Sequence, residues 1–257
     1  MRKTDTYKTF GLIVALAFIY SNITKAQGPP IYTDTPILLG LDGGGIRTFG
    51  KFTSTGTGNS FVQPFIIPYN LTTDFQIGIV QPFVILFPKG QDSKSGFGNL
   101  TLFGKYSIFQ KNGKGKTFRG LLKYKQSFNT GSGKVSPDTV ISQFDFVTGY
   151  ITTQYGIYCS IGYAFISQSM NDKLFFNFSF AYPLLPQKYP PFQLNLFLEL
   201  NCSHMLEISK NLIFVSPGMQ LITTSTFLIE AGFQIPVVDD LNLTDYSTSL
   251  GIRYLVF

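Results

Sequence analysis

The feature that most constrains this chain is a strict alternation of apolar and polar residues with a period of two. From Phe192 to Ser203 the even positions are Phe192, Leu194, Leu196, Leu198, Leu200 and Cys202. The odd positions are Gln193, Asn195, Phe197, Glu199, Asn201 and Ser203. Successive side chains of a strand point to opposite faces, so this spacing predicts a strand with one greasy and one polar face. Residues 117–128 repeat it, with Phe118, Leu122, Tyr124 and Phe128 against Thr117, Arg119, Lys123, Lys125 and Ser127. So do residues 173–184, 226–236 and 246–257.

A soluble sandwich also alternates, and composition separates the two cases. Charged residues are only 13% of the chain, about half the usual share of a soluble domain. A water-facing strand face normally carries Lys and Glu. Here it carries mainly Asn, Gln, Ser, Thr and Gly. The apolar faces run for ~10–12 residues, the length a tilted strand needs to cross a bilayer. Aromatic content is high, with 27 Phe and 14 Tyr, and several rings stand near expected strand ends: Tyr69, Phe109, Phe128, Tyr182, Phe192 and Tyr246. Such rings suit the interfacial girdles of a membrane barrel. The expected fold is an all-β, transmembrane, antiparallel up-and-down β-barrel.

Strands are expected over 46–54, 60–70, 74–87, 98–109, 117–128, 141–153, 156–168, 173–184, 192–203, 211–222, 226–236 and 246–257. The count is about 12, with 10 or 14 as alternatives. An even number leaves both ends on one side, the periplasmic side of a bacterial outer membrane. Short turns are then expected near 70–73, 110–116, 154–155 and 223–225, and longer loops near 88–97, 129–140, 204–210 and 237–245. The 169–172 and 185–191 connections break that rule.

Residues 1–26 read as a signal peptide. Arg2, Lys3 and Lys8 precede the apolar run Phe10–Tyr20, and Thr24-Lys25-Ala26 forms a small-x-small cleavage site before Gln27. Eleven apolar residues cannot cross a core of ~30 Å as a helix. Residues 27–45, rich in Pro and Gly, form an extended periplasmic lead-in or a plug, and residues 46–257 the barrel. Removing 1–26 leaves 16 basic against 13 acidic residues, so the net charge falls from +6 to +3. That leaves no basic footprint for nucleic acid. Cys159 and Cys202 both lie mid-strand on apolar faces, and free, buried thiols are expected.

Three segments resemble catalytic motifs, and each lacks a partner that the chemistry needs. Leu41-Asp42-Gly43-Gly44-Gly45-Ile46-Arg47 is similar to the oxyanion loop of patatin-like lipases. No Gly-x-Ser-x-Gly elbow accompanies it: Phe52 precedes Ser54 and Phe214 precedes Ser216 by two residues. Gly115-Lys116-Thr117 looks like the end of a P-loop, but Gln110 stands where Gly is required and Thr117 opens a strand. A hairpin turn is expected there. His204, with Glu207 nearby, is read as a loop residue. No enzyme activity, catalytic residue, metal or cofactor is expected.

The remaining candidates are charges on polar strand faces: Lys105, Arg119, Lys123, Lys125, Glu199, Glu230 and Arg253. In a barrel these line the lumen, either as a permeation path for polar or anionic solutes or as a salt-bridge network that closes it.

Several short segments, in order, resemble the outer-membrane family of meta-pathway phenol degradation proteins, often called simply transporters. They are Gly28-Pro29-Pro30-Ile31-Tyr32-Thr33-Asp34-Thr35-Pro36, Ser95-Gly96-Phe97-Gly98-Asn99-Leu100 and Gly104-Lys105-Tyr106. Leu198-Glu199-Leu200, Ser216-Pro217-Gly218, Gln234-Ile235-Pro236-Val237 and Gly251-Ile252-Arg253-Tyr254 complete the series. The resemblance spans most of the mature chain. It implies a Gram-negative outer-membrane barrel passing small hydrophobic or aromatic molecules, with the lipid bilayer as a partner. It also implies recognition by the barrel assembly machinery through a last strand ending at Phe257, although Phe257 is out of phase with the apolar face ending at Val256. The alternative is a closed structural or surface-binding barrel without transport.

Overall fold

A computed structural model describes residues 28–167, 171–185, 191–241 and 244–256. The alternating segments form β1 (Gly44–Thr55), β2 (Gly58–Asn70), β3 (Phe75–Pro88), β4 (Lys94–Phe97), β5 (Thr101–Gly113), β6 (Lys116–Ser127) and β7 (Ile141–Thr152). They continue as β8 (Gly156–Ile166), β9 (Lys173–Pro183), β10 (Gln193–Met205), β11 (Lys210–Ile222), β12 (Phe227–Asp239) and β13 (Tyr246–Val256). Sequence neighbours pair antiparallel, except that β4 and β5 both pair with β3, and β1 pairs with β13 from Gly44↔Val256 to Ser54↔Tyr246, which closes the sheet. Closure gives every strand except the short β4 two strand partners, as backbone in a bilayer requires.

The barrel has twelve staves, because β4 and β5 are two parts of one. β4 pairs with the upper part of β3 (Phe83↔Phe97) and β5 with its lower part (Val80↔Thr101). The break lies opposite Pro82, which has no N–H to donate. Its carbonyl still accepts from Gly98 N at 2.8 Å. Expected and observed strands agree closely. The largest shift is β5, read as 98–109, because a bulge at Ser107/Phe109 lets pairing continue to Gly113↔Lys116. The 88–97 segment, expected as loop, contains β4.

The outward face is the apolar one. Leu198, Ile161, Phe165, Phe176, Leu250 and Ile252 are all exposed, Leu250 at 65%. So continuous a band far exceeds the few hundred Å² of apolar patch that a water-facing surface usually shows. On β13 the inward residues Ser247, Ser249 and Arg253 are buried, while Tyr246, Leu250, Ile252 and Tyr254 face out. Of the six expected girdle rings, Tyr69, Phe128, Phe192 and Tyr246 are exposed; Phe109 and Tyr182 are half-buried.

Some local expectations change. Cys159 and Cys202 are free, but half-buried rather than buried, because they sit on the outward sides of β8 and β10. His204 lies within β10, not a loop, with Nδ1 2.9 Å from Asn211 Oδ1 across the pair. Gly43 sits in a turn and Gly44-Gly45 open β1, so the lipase-like segment is the bend into the first stave. Gly115 takes a φ of 67° in the β5–β6 turn, the left-handed conformation that glycine adopts freely. The expected signal peptide, Gln27 and Phe257 lie outside the described residues.

Candidate functional site

The lumen is where the polar faces converge, and residues 28–43 share it. Gly28 starts beside the lower ends of β8 and β11, where its carbonyl accepts from the Tyr158 hydroxyl at 3.2 Å. Gln220 Nε2 donates to the Pro29 carbonyl at 3.0 Å. The segment reaches mid-barrel at Asp34 and returns to Asp42, whose carboxylate accepts from the Tyr69 hydroxyl at 3.0 Å. Its prolines keep it out of helix and sheet, and it bends at residues 31–33 and 36. The bend turns successive backbone N–H groups to one side, toward the wall.

The wall holds it by the backbone. Glu199 accepts from three successive amides: Ile31 N at 2.9 Å, Tyr32 N at 3.1 Å and Thr33 N at 2.6 Å. Consecutive N–H groups converging on a carboxylate form a strong, charge-assisted anchor. The carbonyls on the other side go to arginines. Arg47 donates to the Ile31 carbonyl and Arg253 to that of Pro30, each at 2.5 Å. Glu230 fixes both: Arg47 Nε donates to its Oε1 and Arg253 Nε to its Oε2, each at 2.7 Å. Pro30–Thr33 is thereby held both by its amides and by its carbonyls.

Side chains complete the seat. Ile31 and Tyr32 pack where the wall carries glycine. A Cβ on Gly218 would stand 2.4 Å from Ile31 Cδ1, and one on Gly232 2.7 Å from the Tyr32 hydroxyl. These strand-interior glycines cost the sheet packing, and the close approach of the segment gives them a reason. Tyr32 donates or accepts a 2.6 Å bond with Ser249, and burial pushes its phenol up to about 12.

Asp34 meets Lys105 at 3.2 Å and Lys123 at closer range. Burial opposes its ionisation, but Lys105, Lys123 and Lys125 outweigh it and hold the carboxyl well below the usual carboxylate range. A group whose pKa is depressed on docking stabilises the docked state fully above its free pKa. That stabilisation fades as pH falls through the docked value. Ion leak through the reconstituted barrel should therefore stay flat from about pH 8 to 5 and rise only below about pH 4. A rise beginning near neutrality would contradict this assignment.

Each expected lumen residue can now be placed. Lys105 and Lys123 bind Asp34; Glu230 and Arg253 bind each other; Glu199 binds the segment's amides. Lys125 Nζ lies 3.9 Å from Asp145. Arg119 stands apart, near the lower end of β6, with Nε donating to Thr117 at 3.1 Å. Sequence reasoning missed Asp34, Arg47, Lys51 and Asp145. Arg47 and Lys51 share the inward register of β1, a signal blurred by Phe49 between them. No group of three or more His, Cys, Asp or Glu that could hold a metal occurs among the described residues.

The segment divides the remaining space. Below it lies a cavity of about 750 Å³, lined by Ile37, Ile66, Val80, Phe103, Leu228 and Leu255 among others. Above it lies one of about 440 Å³ with a more polar wall, including Lys51, Lys125, Gln143, Asn177 and Asn201. Tyr32, Asp34, Lys51 and Lys125 border both.

The barrel is similar to that of an outer membrane channel from Pseudomonas putida F1, at 11% identity and a TM-score of 0.63. The match covers 90% of this chain and all of that one. It is also similar to the KdgM porin, solved in complex with disordered oligogalacturonate, at 8% identity and a TM-score of 0.55. That match covers 83% of this chain and 99% of the porin. At such identities the likeness is one of fold. No protein-family model matches the sequence, and no curated protein does.

Proposed function

We propose that this chain is an outer-membrane channel for small hydrophobic or aromatic molecules, closed at rest by residues 28–39. The observation that carries this reading is the division of the lumen. A large, mainly apolar chamber opens under a segment that is held by its backbone and is therefore releasable as a unit. A barrel with a purely structural role has no use for such a chamber and would fill it with side chains. The fold likeness to a channel and a porin supports the reading, as does the resemblance to the phenol degradation family. Residues 1–26 act as the export signal, and the last stave addresses the chain to the assembly machinery.

Reconstituted protein should speed the uptake of benzyl alcohol and similar solutes into vesicles with a lipopolysaccharide outer leaflet. Uptake equal to that of protein-free vesicles for every solute would refute the proposal. The alternative is a permanently closed barrel. It draws on the number of contacts holding the segment, and it predicts that changing Lys123 and Glu199 alters stability with no change in flux.

A further inference from the structure

The charges around the upper chamber do not balance. Lys51, Lys105, Lys123, Lys125 and Lys173 border it or the Asp34 site below it, against Asp34 and Asp145. Asp34 already serves Lys105 and Lys123. Lys125 is 3.9 Å from Asp145, beyond hydrogen-bond distance, so its donors are underused. Lys51 donates to Gln234 Oε1 at 2.6 Å and stands 5.9 Å from the centre of the Tyr32 ring. Among the described residues neither Lys51 nor Lys173 has a carboxylate within ion-pair distance. Confined cations without counter-charge are costly, and a bound anion relieves that cost.

The geometry also shows which anion fits. Asp34 is itself a carboxylate seated between two lysines, and 29% of its side chain remains open to the lumen. It borders both chambers, one step from Lys125. The upper chamber adds apolar wall from Ile141, Ile166, Phe175 and Phe214. An inorganic ion would leave that wall unused, whereas a carboxylate on a compact apolar body would use both features.

We propose that the upper chamber binds small carboxylates with an apolar body, and that their carboxylate is received by Lys51 and Lys125, where it competes with Asp34 for the charge of the lysine cluster. The resident aspartate then acts as a tethered stand-in for the solute. Binding of the solute weakens the hold of the lysine cluster on Asp34, and so on residues 28–39. This deepens the channel reading above and rests on it for its role in transport.

The test is equilibrium dialysis of the full chain in neutral detergent, with radiolabelled benzoate, acetate and benzyl alcohol as probes. Benzoate should bind at least tenfold more tightly than either of the others. The Lys51→Gln/Lys125→Gln pair should abolish that preference, and Lys114→Gln in the β5–β6 turn should leave it intact. Asp34→Asn, which removes the competitor, should tighten benzoate binding roughly tenfold, a gain that a misfolded barrel could not give. Equal binding of benzoate and benzyl alcohol, or weaker benzoate binding by Asp34→Asn, would overturn the inference. Vesicle uptake of benzyl alcohol without benzoate preference removes only this inference. Benzoate binding without uptake of any solute removes the channel reading and leaves the site.

Discussion

Glu199→Gln should open the barrel. The substitution keeps the volume of the side chain but replaces one acceptor oxygen with an NH₂ group, which then faces backbone N–H donors. Three amides converge on the native carboxylate, from Ile31, Tyr32 and Thr33. Hydrogen bonds to a charged group contribute about 1.5–3 kcal/mol each, net of water. Losing the equivalent of one or two shifts the docked segment toward release by about 3 kcal/mol, roughly a hundredfold in the equilibrium. Recorded in planar bilayers, the variant should show openings roughly a hundredfold more frequent than the parent protein. Its barrel should remain folded, since the wall loses no paired strand. An unchanged opening frequency would mean that residues 28–39 do not gate the lumen, or that the arginine side of the clamp suffices alone.

Much of this architecture is legible in the sequence, and what is not has a definite physical reason. Alternation alone places eleven staves within a few residues, because the sequence must put lipid-facing Leu and Phe on every second position. It also assigns Lys105, Lys123, Glu199, Glu230 and Arg253 to the lumen side. What it cannot give is who meets whom inside. Lys123 and Asp34 are 89 positions apart, and Glu199 and Ile31 are 168 apart. Their meeting depends on barrel closure and on the path of a segment with no periodicity of its own. Gly218 and Gly232 illustrate the point. In sequence they are weak spots in strands, while in the barrel they are the recesses that receive Ile31 and Tyr32. Arg47 and Lys51 escaped notice for another reason. β1 carries aromatic residues on both faces, Phe49 inward and Phe52 outward, so its phase is ambiguous until the pairing with β13 fixes it.

Glu230 differs from Glu199 in what its loss exposes, and the two should be separable by experiment. Its side chain is 2% exposed and holds Arg47 and Arg253 together, with the latter only 9% exposed. Removing one partner of a buried ion pair strands the other charge, at a cost of about 3–5 kcal/mol. Both guanidiniums also lose the partner that aims them at the Pro30 and Ile31 carbonyls. Glu230→Ala should therefore lower the unfolding free energy of the barrel by about 3–5 kcal/mol, read by urea titration in lipid vesicles. The double variant Glu230→Ala/Arg253→Met should recover much of that loss, because it removes the more deeply buried stranded cation while keeping the bulk of its stem. Arg47, at 22% exposure, keeps access to lumen water and needs no second substitution. If single and double variants unfold alike, the destabilisation comes from lost packing at position 230. If Glu199→Gln destabilises the barrel as strongly as Glu230→Ala, the two carboxylates do not divide the work between gate and wall.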